Sequence, residues 1–107
     1  MRIGLNLFHL VPENGGVVQY VLTLLQHWPR LFPQDPLVLF CFPRNDTLLA
    51  SVPAGLERRK LQHQEEIAAH LAGIDVFFCP FNALYPRPLP VPSVVTIVDL
   101  QERFFPE

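Results

Sequence analysis

The chain has 107 residues, half of them hydrophobic and 17% charged, with a formal net charge of −2 at neutral pH. That size and apolar content call for one domain with a real core and exclude disorder, while the charge offers no basic field for nucleic acid or anionic lipid. No apolar run approaches the roughly 18 residues of a membrane-spanning helix. Asn6 and His9 interrupt the opening apolar stretch in a way that a signal peptide would not, so a cytoplasmic protein is expected.

Ile3 to Phe8 reads as a first strand, followed by a turn-rich stretch closing in Gly15 and Gly16. A helix follows over Val17 to His27. Val17, Val21, Leu24 and Trp28 share one face, Val18, Leu22 and Leu25 widen it, and Pro29 ends the helix near Trp28. A buried strand feeding a glycine turn that opens a helix presents backbone N–H groups and the positive end of a helix dipole, which suits a diphosphate. Glycines serving only a tight turn are the plainer alternative.

Leu37 to Phe42 is a continuous apolar run between prolines, the pattern of a strand covered on both faces. Asn45, Asp46 and Thr47 can cap a short helix over Leu48 and Leu49. Leu56 to Leu61 is a third strand whose charged middle suggests an edge position rather than a functional basic patch. Gln62 to Gly73 reads as a helix with a C′ glycine, and Asp75 to Cys79 as the fourth strand. A proline-rich connection over Leu84 to Pro92 stiffens the approach to a fifth, wholly apolar strand over Val94 to Val98.

Alternating strands and helices imply an α/β, Rossmann-like parallel sheet of order 3-2-1-4-5, with its switch point between strands one and four. The loops carrying His9 to Gly16 and Pro80 to Leu84 then flank a crevice, with Asp99 just past strand five. Phe81, Asn82 and Tyr85 can wall a sugar or acceptor pocket, or pack the strand end. His9 leaves strand one at this crevice, where its plainer role is to cap backbone carbonyls.

Cys41 and Cys79 each end a strand flanking the first, about 9.6 Å apart by strand spacing, too far for a disulfide. No cysteine or histidine spacing fits a zinc site, since His63 and His70 lie about 10.5 Å apart along one helix. Glu66 and His70 form at most an exposed helix pair. Strand five reads as buried on both faces with only nine residues after it. A sequence continuing past Glu107 in a longer parent protein is therefore expected, and a homodimer through the uncovered sheet face is the other way to bury it.

Met1 to Asn6, Gly15 to Tyr20, Asp75 to Pro80, Val94 to Leu100 and Phe105 to Glu107, taken in order, resemble the amino-terminal half of retaining glycosyltransferases of family 4. The resemblance implies the GT-B architecture, two Rossmann-like domains facing a cleft, of which this chain is the acceptor-side one. It implies transfer from a nucleotide-sugar donor to a glycan or lipid-linked acceptor, without a metal or other cofactor. Gly15, Gly16 and Asp99 would face the donor phosphates and sugar, and His9, Asn14, Phe81 and Asn82 the acceptor-side cleft. The chain departs from the family at Val98, where a histidine is usual, and at Gln19, where a basic residue is common, so the resemblance implies altered donor contacts or weak activity, with capping of the following turn the alternative role of Asp99.

The resemblance leaves the diphosphate-binding groups of the second domain outside this chain, so no transfer is expected of these 107 residues alone. A noncatalytic module that binds an anion or self-associates is the competing class. A flavodoxin-like regulator ranks below both, lacking an acidic cluster and phosphoacceptor after strand one.

Overall fold

A computed structural model of the chain describes residues 1–80 and 91–95. Five strands, β1 (Ile3–Asn6), β2 (Leu37–Cys41), β3 (Glu57–Lys60), β4 (Val76–Cys79) and β5 (Ser93–Val95), form one sheet of order β3-β2-β1-β4-β5. Every pairing is parallel: Leu5 lies opposite Leu39 on one side and Phe78 on the other, and Phe78 opposite Val94. The Rossmann-like arrangement read from the sequence is present, with β1 central.

Two apolar layers cover the two faces. On one, Leu5, Leu39 and Cys41 pack under α1 (Gly15–Leu31), whose Val18, Val21, Leu22 and Leu25 are its buried residues. On the other, Phe40 and Phe77 meet edge to face with ring centroids 5.4 Å apart, over Ile67 and Leu71. Gly4 is the residue that lets those rings meet: a Cβ there would sit 2.9 Å from Phe77 Cδ1 and 3.0 Å from Phe40 Cε1. Connections on opposite faces before and after β3 reverse the winding, which opens the crevice at the carboxyl end of β1.

The helix boundaries differ from the sequence reading. Pro29 lies inside α1, which runs two residues further. Proline forfeits only the bond to Leu25 O, and the last turn is held by other groups: Trp28 Nε1 donates to Asp35 O (2.6 Å), Phe32 N–H to Trp28 O (2.8 Å), and the Trp28 and Phe32 rings stack at 4.4 Å. The predicted helix over Gln62 to Gly73 is a 3-10 helix over Gln64–His70, in which Ile67 alone is buried, with Gly73 at φ +79° beyond its end. A single anchor does not demand the broad apolar face of an α-helix.

β3 is an edge strand, as its charges suggested, and three of its four charged side chains, Glu57, Arg58 and Arg59, are engaged. Glu57 pairs with Arg2 and with Arg59 Nε (3.2 Å), and Arg59 Nη1 donates to His70 O (2.6 Å). Glu66 and His70 do not pair through their side chains. The Glu66 carboxylate accepts the His63 N–H (3.2 Å), and the His70 ring bonds the Glu66 carbonyl (2.8 Å). Val94, expected to be covered, is 53% exposed on β5. No helix among the described residues is long and apolar enough to cross a membrane.

Candidate functional site at the carboxyl edge of the sheet

The chain leaves β1 through buried Leu7 and Leu10, passes Val11, and turns through a 3-10 helix over Pro12–Asn14 into Gly15. Gly15 donates its N–H to Pro12 O and adopts φ +49°, ψ −113°, a region that a side chain disfavours. Gly16 has no positive φ, and among the described residues, chain neighbours and the helix's own backbone aside, no atom lies within 4 Å of the position a Cβ would take at either glycine. Packing therefore requires glycine at 15 for its backbone and does not require it at 16. Both are exposed, and the first turn of α1 carries no acidic side chain to neutralise its dipole.

His9 is half-buried on the same loop, its ring edge-on to Phe8 at 5.2 Å. Burial first, and the Arg44 charge second, hold its pKa below the usual histidine value, so its neutral form is favoured. Phe8 also meets Phe42 edge to face at 5.1 Å, and the Arg44 guanidinium lies over the Phe8 ring, 4.2 Å from its centroid. A cation and a neutral imidazole thus flank an aromatic floor at the ends of β1 and β2.

Two buried asparagines organise this edge. Asn6, 4% exposed, accepts the Phe8 N–H at Oδ1 (2.9 Å) and donates from Nδ2 to Gln64 Oε1 (3.2 Å), joining the end of β1 to the start of the 3-10 helix beyond β3. Asn45, fully buried, does not cap α2 (Asp46–Leu49) as its sequence context suggested. Its Oδ1 accepts the Phe42 N–H (2.8 Å), while Nδ2 donates to Leu7 O (2.6 Å) and Leu10 O (3.0 Å). Arg44, Asn6 and Asn45 were not anticipated as site residues. A polar residue between two apolar runs was the available signal for Asn45, but the carbonyls it reaches are 35 and 38 residues away.

No protein-family model, curated protein or solved structure matches this chain. The site is accordingly defined by geometry. His9, the backbone of Asn14, Gly15 and Gly16 lie along the one segment that leaves β1 and enters α1, and Arg44, over Phe8, lies against the start of that segment. Phe81, Asn82 and Asp99, expected on the opposing side, lie outside the described residues, as does Tyr85.

Cys41 and Cys79 are buried and not disulfide-bonded, in the two apolar layers on opposite sheet faces, and burial pushes the Cys41 thiol up to about 11. Cys41 is therefore not a poised nucleophile. Beside Cys41, between the ends of β2 and β3, a pocket of about 220 Å³ is edged by Asp46 and Lys60. It lies one strand away from the switch point. Among the described residues no three histidine, cysteine or acidic side chains gather as metal ligands.

Proposed function

We propose that this chain is the acceptor-side, amino-terminal domain of a retaining GT-B glycosyltransferase of family 4, a cytoplasmic enzyme moving sugar from a nucleotide-sugar donor to a glycan or lipid-linked acceptor. The observation that carries the reading is the Gly15–Gly16 turn, set past the carboxyl end of the central strand of a parallel 3-2-1-4-5 sheet and, among the described residues, open above Gly16. A diphosphate can approach bare backbone there, and the helix dipole favours its charge. In this reading Gly15, Gly16 and Asp99 contact the donor and His9, Asn14, Phe81 and Asn82 the acceptor. The bond from the sugar to its phosphate oxygen breaks as the bond to the acceptor oxygen forms, and the acceptor proton leaves with the diphosphate.

In this reading the facing half of the cleft is a second domain, which would supply most of the charge stabilisation of the departing group. The test is transfer by the complete reading frame that contains this chain, with a panel of nucleotide sugars and a lipid-linked acceptor, read as nucleoside diphosphate release. Transfer by wild type and its loss in Gly16→Leu support the enzyme.

Diphosphate binding with no transfer from any donor supports a noncatalytic anion-binding or self-assembly module instead. That alternative draws on Val94, an apolar side chain left 53% exposed on β5, through which two copies could join.

A further inference from the structure

We propose that Asn45 is a positioning residue for the Gly15–Gly16 turn, holding it in register with Arg44 at the carboxyl edge. Its consequence for binding rests on the glycosyltransferase reading; its geometry does not. The Asn45 amide is fully buried, and three hydrogen bonds engage both of its ends. The oxygen closes the turn from Phe42 to Asn45 in its own loop. The nitrogen crosses to the other loop and takes the carbonyls of Leu7 and Leu10, which are themselves joined by the Leu10 N–H to Leu7 O bond (2.8 Å).

Those two carbonyls bracket His9 and precede the run of short turns that ends in Gly15. Val11 N–H bonds His9 O (2.9 Å), Pro12 starts the 3-10 helix, and Gly15 N–H returns to Pro12 O. Each turn is fixed by the one before it, so the amide of Asn45 sets where α1 begins. Arg44 is bonded in sequence to that asparagine and stacked on Phe8, so the cation and the glycine turn share one support. An aspartate of the same shape keeps the acceptor for Phe42 but turns its other oxygen toward two carbonyls, which it cannot satisfy when ionised.

The experiment compares the ¹⁵N spectra of the wild-type chain, Asn45→Asp and Asn45→Ala, with Gly73, at the amino end of β4, as the reference amide. Gly15 and Gly16 resonances should move in both variants while Gly73 stays in place, and uridine diphosphate should bind about tenfold more weakly, the effect of a displaced but intact site. Gly4→Ala, which loosens the core between Phe40 and Phe77, serves as the control: its affinity should remain at the wild-type value. A folded Asn45 variant with Gly15 and Gly16 at wild-type positions overturns the proposal, as does an equal loss of affinity in Gly4→Ala.

If neither Asn45 variant folds, hydrogen exchange in the wild type decides. The Asn45 side-chain amide and the Gly15 N–H should open together, with protection within about tenfold of each other, and a much faster Gly15 would overturn the proposal. A wild type that fails to bind uridine diphosphate overturns a diphosphate site at the turn of this chain and not the role of Asn45, which the ligand-free comparison of spectra then decides.

Discussion

Replacing each glycine of the turn by alanine separates what the fold needs from what a ligand needs. Gly15 sits at φ +49°, ψ −113°, where an L side chain is strained, so Gly15→Ala should destabilise by about 1–3 kcal/mol. For a domain of this size that lowers the unfolding midpoint by about 5–15 °C. Gly16 lies within the first turn of α1 with open space around its would-be Cβ. Alanine is the better helix former by up to about 1 kcal/mol in a helix interior and by less at its end, so Gly16→Ala should raise the midpoint by about 2–4 °C. The same methyl stands in the path of a diphosphate approaching the backbone, so the more stable variant should be the weaker binder. Thermal unfolding followed by circular dichroism, with a parallel uridine diphosphate titration, reads both effects. A Gly16→Ala protein as unstable as Gly15→Ala would overturn this division of roles, because it would show a structural demand for glycine at 16.

Gly4→Ala should destabilise by about 1–2 kcal/mol, the overpacking of a Cβ placed 2.9–3.1 Å from Phe77, Phe40 and Ile74 less a small gain from a stiffer unfolded chain; Phe77→Leu in the same background should recover part of it in urea denaturation. Cys41 holds its proton in the fold up to about pH 11, whereas the unfolded thiol loses it near 9. Stability should therefore fall as pH rises between those values, by about 2 kcal/mol, and Cys41→Ala should remove that slope. His9 has the opposite sense of linkage. Its folded pKa is depressed, so the unfolded state binds more protons as pH falls past about 6.5, and stability should decrease toward pH 5. His9→Gln should flatten this part of a denaturation profile.

The strands and their order were legible because β2 and β4 are unbroken apolar runs, and the charged β3 could only sit at an edge. The first βα turn was legible for a similar reason, since a Gly-Gly pair between a strand and an apolar-periodic segment leaves few alternatives. What the sequence hid were contacts fixed by distant partners. Pro29 read as a stop because the bonds that carry α1 past it come from Trp28 to Asp35 and Phe32 to Trp28, one through a side chain whose direction no periodicity encodes. Asn45 read as a cap because Asn favours caps, yet the carbonyls of Leu7 and Leu10 outcompeted that local role. Arg44 went unnoticed as a lone cation beside a proline, and only the fold sets it on Phe8.

Titrating the ¹⁵N-labelled chain with uridine diphosphate, and following its five glycine amides, is the sharpest test that the β1 edge receives a diphosphate. Gly15 and Gly16 should shift saturably while Gly4, Gly55 and Gly73 hold their positions. Shifts absent from Gly15 and Gly16 at saturating ligand, or spread evenly over all five, would rule out a diphosphate site at that turn.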